Sequence, residues 1–230
     1  MKGVCLLSSI PMRSEPTDRA EMVNQVIYGE TFDILIHEEK WSKIKLHHDN
    51  YEGWIDNKQW EIFVGKKQSL KNSHFVSSHF NKKNMQLFPA GSIIDFIESG
   101  NSKTVLQTAK LFLNTPYLWG GRTCMGIDCS GFTQIVFRIH HIFLLRDAYQ
   151  QASQGKKINL KNIAPNDLVF FQNKDGKIIH VGIAIKEKNT LKIIHASGKV
   201  RIDILDEKGI YNEETQMYSH QLHSIKRVMK

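Results

Sequence analysis

Tyr117-Leu-Trp-Gly-Gly-Arg-Thr-Cys-Met-Gly-Ile-Asp-Cys-Ser-Gly-Phe132 is the stretch that decides the reading of this 230-residue chain. Downstream of Asp128, the apolar residues Phe132, Ile135, Val136, Ile139 and Phe143 recur at i, i+3, i+4, i+7 and i+11, the stripe of an amphipathic helix. Asp128 is suited to cap that helix, and Gly131 lets its first turn pack closely. Cys129 therefore falls in the first turn, where unpaired N–H groups and the positive end of the macrodipole favour an anion. Such a position is expected to lower the thiol pKa. A lone cysteine is most often an inert buried residue, but cap and glycine residues on both sides point to a nucleophile.

A thiol nucleophile needs a base. His140 and His141 lie eleven and twelve residues further along, about 16 Å up a helix axis, and are expected near its C-terminal end. His220 and His223 fall in a polar tail without clear pattern and are expected on the surface. Ile178-Ile-His-Val-Gly-Ile-Ala-Ile185 reads as a buried strand. Its alternation puts His180, Gly182 and Ala184 on one face, whose small residues leave room for a helix to pack closely. Leu191-Lys-Ile-Ile-His-Ala-Ser197 reads as the next strand, after a turn at Lys186-Glu-Lys-Asn189. A hairpin centred between Glu187 and Lys188 makes paired residue numbers sum to 375 and sets His180 directly opposite His195. Cys129 would then attack, His180 would hold its proton, and His195 would fix the ring of His180.

These residues resemble the NlpC-type bacterial cysteine peptidases, papain-like enzymes that cut cell-wall peptides. The matching pieces are Pro116-Tyr-Leu-Trp-Gly-Gly121, Asp128-Cys-Ser-Gly-Phe132, Arg146-Asp147 with Gln150, Asn166-Asp-Leu-Val-Phe-Phe171, His180-Val-Gly182 and Ile194-His-Ala-Ser-Gly198, in the family's order. The resemblance implies an α+β fold, with a helix bearing the cysteine packed on an antiparallel sheet, and catalytic roles for Cys129, His180 and His195. It also implies that Tyr117 positions the reaction or stabilises an oxyanion, and that Asp128 and Ser130 touch the substrate. Asn166 stands where the family usually has glycine, a mild departure. Cys124 is unexpected and reads as an incidental loop residue.

Short strand-like runs between Gly3 and Trp60, punctuated by Pro11, Pro16, Gly29 and Asp49-Asn50, predict a small β-barrel. Arg13-Ser-Glu-Pro-Thr17, Trp41 and Tyr51-Glu-Gly-Trp54 resemble the bacterial SH3-like domains attached to this peptidase family. The expected domains are a barrel at 1–60, a degenerate second SH3-like module or linker at 61–100, and the peptidase at 101–230. Members with such barrels cut between γ-linked D-glutamate and the following diamino acid in short stem peptides. By that resemblance, Glu21 and Tyr51 of the barrel bind the ammonium of a free N-terminal L-alanine. The implied partner is an L-Ala-γ-D-Glu-diamino acid peptide, and the chain is expected to be a monomer without nucleic-acid or membrane partners.

A formal charge of +8 suits acidic partners, and carboxylate-rich wall peptides fit it without any nucleic-acid motif. No metal or other cofactor is implied, since HExxH and paired CxxC spacings are absent. Three cysteines, an odd number, argue against a disulfide framework. With no secretion signal in this sequence, a cytoplasmic recycling enzyme is the expectation, or a secreted one if the start is trimmed. The competing readings are a secreted hydrolase of intact wall and a non-catalytic wall-peptide binding protein.

Overall fold

The computed structural model describes residues 1–65, 78–82, 85–94, 103–188 and 190–229. Seven short strands build the first body: β1 (Lys2–Val4), β2 (Ser9–Arg13), β3 (Met22–Ile27), β4 (Thr31–His37), β5 (Trp41–Leu46), β6 (Glu52–Asp56) and β7 (Glu61–Ile62). They run antiparallel in the order β3-β2-β6-β5-β4-β1-β7. Alternate residues point inward, so that Ile10, Met12, Val26, Phe32, Ile44, Leu46 and Ile55 make a buried core. β2 contains Pro11, which the sequence presents as punctuation. The strand tolerates it because β6 joins β2 only at Arg13, leaving one side of residue 11 without a partner strand. The sheet continues to Ile62 through β7, two residues past the expected boundary.

Next come β8 (His79–Asn81) and β9 (Gln86–Phe88), which pair as a hairpin. After it, Phe88 and Ile94 pack on Tyr28 of the barrel, while Ala90 and Ile93 join the core of the second body. Half of the expected second SH3-like module, residues 66–77, 83–84 and 95–100, lies outside the described residues.

The second body opens with α1 (Val105–Lys110), started by a capping box between Thr104 and Gln107. A small hairpin of β10 (Arg122–Thr123) and β11 (Gly126–Ile127) leads into α2 (Cys129–Ile139). α2 stops four residues before Phe143: His141 adopts φ 59°, and the N–H groups of His141 and Ile142 bond back to Arg138 and Phe137. This is a Schellman stop, so Phe143 belongs to the loop beyond. α3 (Ala148–Gln151) follows, then β12 (Lys156–Ile158), β13 (Leu168–Gln172), β14 (Ile178–Glu187), β15 (Thr190–Ser197), β16 (Lys199–Leu205), β17 (Gly209–Asn212) and β18 (Met217–Arg227). Because β17 pairs with both β16 and β18, the strands β18-β13-β14-β15-β16-β17 close on themselves.

The two faces of this closed sheet have different tasks. Leu168, Phe170, Val181, Ile183, Ile185, Ile194 and Ala196 pack against the apolar stripe of α2. Val169, Phe171, Ala184, Ile193, Leu205, Ile210 and Ile225 fill the other side. The helix therefore sits on the Val181 face, not on the His180-Gly182-Ala184 face as the small residues suggested. Apolar stripes seek apolar partners, and Gly182 serves another purpose. A Cβ there would lie 2.6 Å from Ile193 and 2.9 Å from the His195 Cβ, so its absence lets β14 and β15 bring their inner side chains together.

Candidate active site

Asp128 organises the start of α2. Its carboxylate accepts the Gly131 N–H at 2.6 Å and the Gly120 N–H at 2.9 Å, tying the Trp-Gly-Gly turn to the first helical turn. Arg146 closes the arrangement, donating to both oxygens at 3.1 and 2.5 Å and to Ser130 Oγ at 2.9 Å. Gly131 is required here, since a Cβ would lie 2.3 Å from the Gly121 carbonyl oxygen. Cys129 thereby stands at the first helical position, facing a cleft of about 410 Å³.

The sulfur is favoured as an anion by the backbone N–H groups of Val181 and Ser130 and by Arg146. Burial, followed by the Asp128 carboxylate, outweighs them and pushes the thiol up to about 12. The helix terminus does not give the depressed pKa that position alone implied, because burial, and then the capping carboxylate, outweigh the dipole.

The Val181 N–H is the link to the sheet, for His180 is its neighbour on β14. His180 Nε2 and His195 Nδ1 are 2.8 Å apart, and His195 Nε2 lies 2.9 Å from Asp203 Oδ2. All three side chains are at most 6% exposed. The strand register differs from the expected one by two: Gly182, not His180, opposes His195. The loop is the two residues between Glu187 and Thr190, with Lys188 at φ 54°, so paired numbers sum to 377. A shift of two preserves the face, so the histidines still meet, on a diagonal.

Burial, then His195 and His220, pull the His180 pKa well below its ordinary value, so the ring is neutral. His220 is the site residue that sequence reasoning placed on the surface. It stands on β18 and stacks on His180, with ring centroids 4.1 Å apart and planes inclined by 24°. Burial and His195 bring its pKa down to about 4. Along β18, every second residue from His220 to Ser224 is partly buried. His223 is exposed beside Ser224, as expected. His140 caps the far end of α2 and bonds Thr108 Oγ1, well away from the thiol.

Around the cleft, burial and then the nearness of Cys129 and Asp128 push the Tyr117 phenol upward, which keeps it a donor. The barrel forms one wall through Val23 and Tyr51. Tyr51 donates to Asp147, a cleft carboxylate pushed up chiefly by its burial. Glu21 accepts the Trp119 indole N–H at 2.5 Å beside the cleft. Asp128 and Ser130 line the cleft too, but the Asp128 carboxylate is saturated by Arg146 and two backbone N–H groups. That leaves Asp147 as the cleft carboxylate with the fewest internal partners. Cys124 sits free between β10 and β11. Among the described residues, no group of His, Cys, Asp and Glu is arranged to hold a metal ion.

Buried side chains tie the barrel to the second body. Glu30 accepts from Arg122 through both oxygens at 2.9 and 3.0 Å, from Arg138, and from the Ile27 N–H at 2.9 Å. His48 stands between Glu30 and Asp49, and Gln134 of α2 donates to Asp49 at 2.9 Å. Gly120, at φ 75°, lets the Trp-Gly-Gly turn come so near that a Cβ would lie 2.3 Å from the Met22 carbonyl.

Residues 114–223 match the NlpC/P60 family, and residues 12–59 match the bacterial dipeptidyl-peptidase SH3 domain. The γ-D-glutamyl-L-lysine dipeptidyl-peptidase of Bacillus subtilis (strain 168) is 36% identical over 119 residues, 51% of this chain and 40% of that protein. The probable endopeptidase NlpC of Escherichia coli (strain K12) is 44% identical over 85 residues, 36% of this chain and 53% of that protein. The matched region thus spans less than two thirds of either relative. A solved NlpC/P60 family protein from Bacillus cereus ATCC 10987 shares the fold over 100% of both chains, with a TM-score of 0.78 at 17% identity.

Proposed function

We propose that this chain, an NlpC/P60 cysteine peptidase behind an SH3 domain of the bacterial dipeptidyl-peptidase type, hydrolyses the bond between γ-D-glutamate and a diamino acid in short wall peptides that begin with a free L-alanine. The observation that carries this reading is the cleft itself. The thiol of Cys129 opens into it, the barrel walls it, and Asp147 with Tyr51 supplies its negative end. A cleft walled by the barrel on that side suits a short chain end with an ammonium group. The name of the Bacillus subtilis relative supports the same substrate class.

In this mechanism Cys129 attacks the carbonyl carbon while its proton passes to His180, held in place by His195. The Cys129 N–H, which has no helical partner at the first position, and the Tyr117 hydroxyl stabilise the oxyanion. His180 returns the proton to the departing amine, leaving a thioester on Cys129. Water, activated by the same imidazole, releases L-Ala-γ-D-Glu. Ser130, held by Arg146, and Asp128 shape the floor under the peptide, whereas Asp147 and Tyr51 pair with its ammonium and Glu21 adds negative charge at the rim. This reading places the activity on released fragments in a reducing compartment.

The test is mass spectrometry of L-Ala-γ-D-Glu-diamino acid, its N-acetylated form and a disaccharide-linked stem peptide after incubation. Cleavage of the first alone is expected. Equal cleavage of all three would contradict the blocked end and favour a hydrolase of intact wall.

A further inference from the structure

Behind His195 the hydrogen-bond chain does not end. Asp203 lies on β16, two residues from Arg201, which is the direct partner of His195 across the ladder. Its Oδ2 lies 2.9 Å from His195 Nε2 and accepts from Arg201 Nε at 2.8 Å, while Oδ1 accepts from Arg201 Nη2 at 2.9 Å. Arg201 Nη2 also donates to Glu214 at 3.3 Å. Asp203 is 6% exposed, and the fork of Arg201 fixes the plane of its carboxylate.

We propose that Asp203 is a positioning residue that sets, through His195, which nitrogen of His180 carries the lone pair; this rests on the assignment of His180 as base to Cys129. An ionised carboxylate only accepts hydrogen bonds, so His195 must donate from Nε2. A neutral His195 then has its lone pair on Nδ1, which obliges His180 to donate from Nε2 across the 2.8 Å contact. Neutral His180 in turn keeps its lone pair on Nδ1, the nitrogen outside this chain and, on that assignment, the one that takes the thiol proton. Without the carboxylate, His195 can carry its proton on Nδ1 and donate toward His180. His180 must then accept at Nε2 and hold its proton on Nδ1, where no lone pair is left for Cys129. Arg201 neutralises the carboxylate, so the proton of His195 stays on the ring.

The experiment uses the full chain with ¹⁵N-labelled histidine. Long-range ¹H–¹⁵N spectra at pH 7 read the tautomers, and peptide mapping after iodoacetamide treatment reads the alkylation rate of Cys129 apart from Cys5 and Cys124. Neither readout needs a peptide substrate, so failure of the substrate assignment leaves this test intact. Both rings are expected as Nε2–H tautomers. Asp203→Asn should populate Nδ1–H on His195 and slow Cys129 alkylation on the order of 100-fold, since the thiol loses its general base. Arg201→Gln, a change at the edge of the network, should give a mixture of tautomers and a smaller slowing, and it decides the matter if Asp203→Asn fails to fold. An Nδ1–H tautomer for His195 in the unmodified chain would overturn the proposal. So would Asp203→Asn or Arg201→Gln with unchanged tautomers, or altered tautomers with an alkylation rate within twofold of the parent.

Discussion

Two buried polar networks lie on either side of Cys129, and they are built on opposite principles. At the seam between the barrel and α2, Glu30 is surrounded by Arg122, Arg138 and His48. Burial alone would raise its carboxyl pKa, yet these neighbours, Arg122 foremost, hold it far below the ordinary range. The second network runs from His180 through His195 to Asp203, and burial strips its imidazoles of charge. Fixed opposite charges resist separation and suit a joint between domains. Neutral rings joined by single hydrogen bonds can pass a proton with little reorganisation and suit catalysis. The position of a polar group on this scaffold is thus less informative than whether its partners fix its charge or leave it mobile.

The sharpest separation of the two networks comes from Cys129→Ala. Peptide hydrolysis should fall by about 10⁴-fold or more, as for other nucleophile deletions, while thermal unfolding is unchanged. Glu30→Ala should do the reverse. Leaving two buried guanidinium groups without their shared carboxylate should cost about 3–5 kcal/mol of stability, read by urea unfolding, with turnover per folded molecule largely kept. A variant that lost activity but no stability would show that the seam takes part in chemistry.

Smaller changes refine the contrast. Asp147→Asn should raise KM for the free tripeptide by on the order of 10-fold with little change in kcat, since a charge-assisted contact to the ammonium is worth about 1.5–3 kcal/mol at most. Titration distinguishes the networks more gently. A carboxyl whose folded pKa is depressed stabilises the fold above its ordinary pKa, 4.5 for Glu30, and that contribution is lost as pH falls below it. Chemical denaturation between pH 5 and 3 should therefore show a loss of stability that Glu30→Gln lacks. His180 has the opposite consequence. Because its pKa is lowered, it stays unprotonated and competent below pH 6.5, so kcat should be nearly flat from pH 7 to 6.

The helix start at Cys129 and the meeting of His180 with His195 were legible in the sequence because each belongs to a strong local pattern. Asp128 and Gly131 mark a helix start, and His180 and His195 interrupt runs of isoleucine and valine. Even the mistaken register survived, since an error of two residues leaves side chains on the same face. What escaped notice depended on closure of the sheet. His220 reaches His180 only because β18 pairs with β13 on one side and β17 on the other, and no local periodicity announces that. Asp203 lies one strand beyond His195, across the β15–β16 pairing. The thiol pKa was misjudged because the dipole is legible from the helix start, while the burial and the nearby carboxylate are tertiary facts. Glu30, which joins the domains, has partners 92 and 108 residues away.

Rapid mixing of the enzyme with L-Ala-γ-D-Glu-diamino acid, acid quenching and mass analysis of the Cys129 peptide tests the whole account most directly. The account predicts a transient thioester adduct on Cys129 with the mass of an L-Ala-γ-D-Glu acyl group, absent in Cys129→Ala. Full turnover by Cys129→Ala, or an acyl group carried on any other residue, would contradict it.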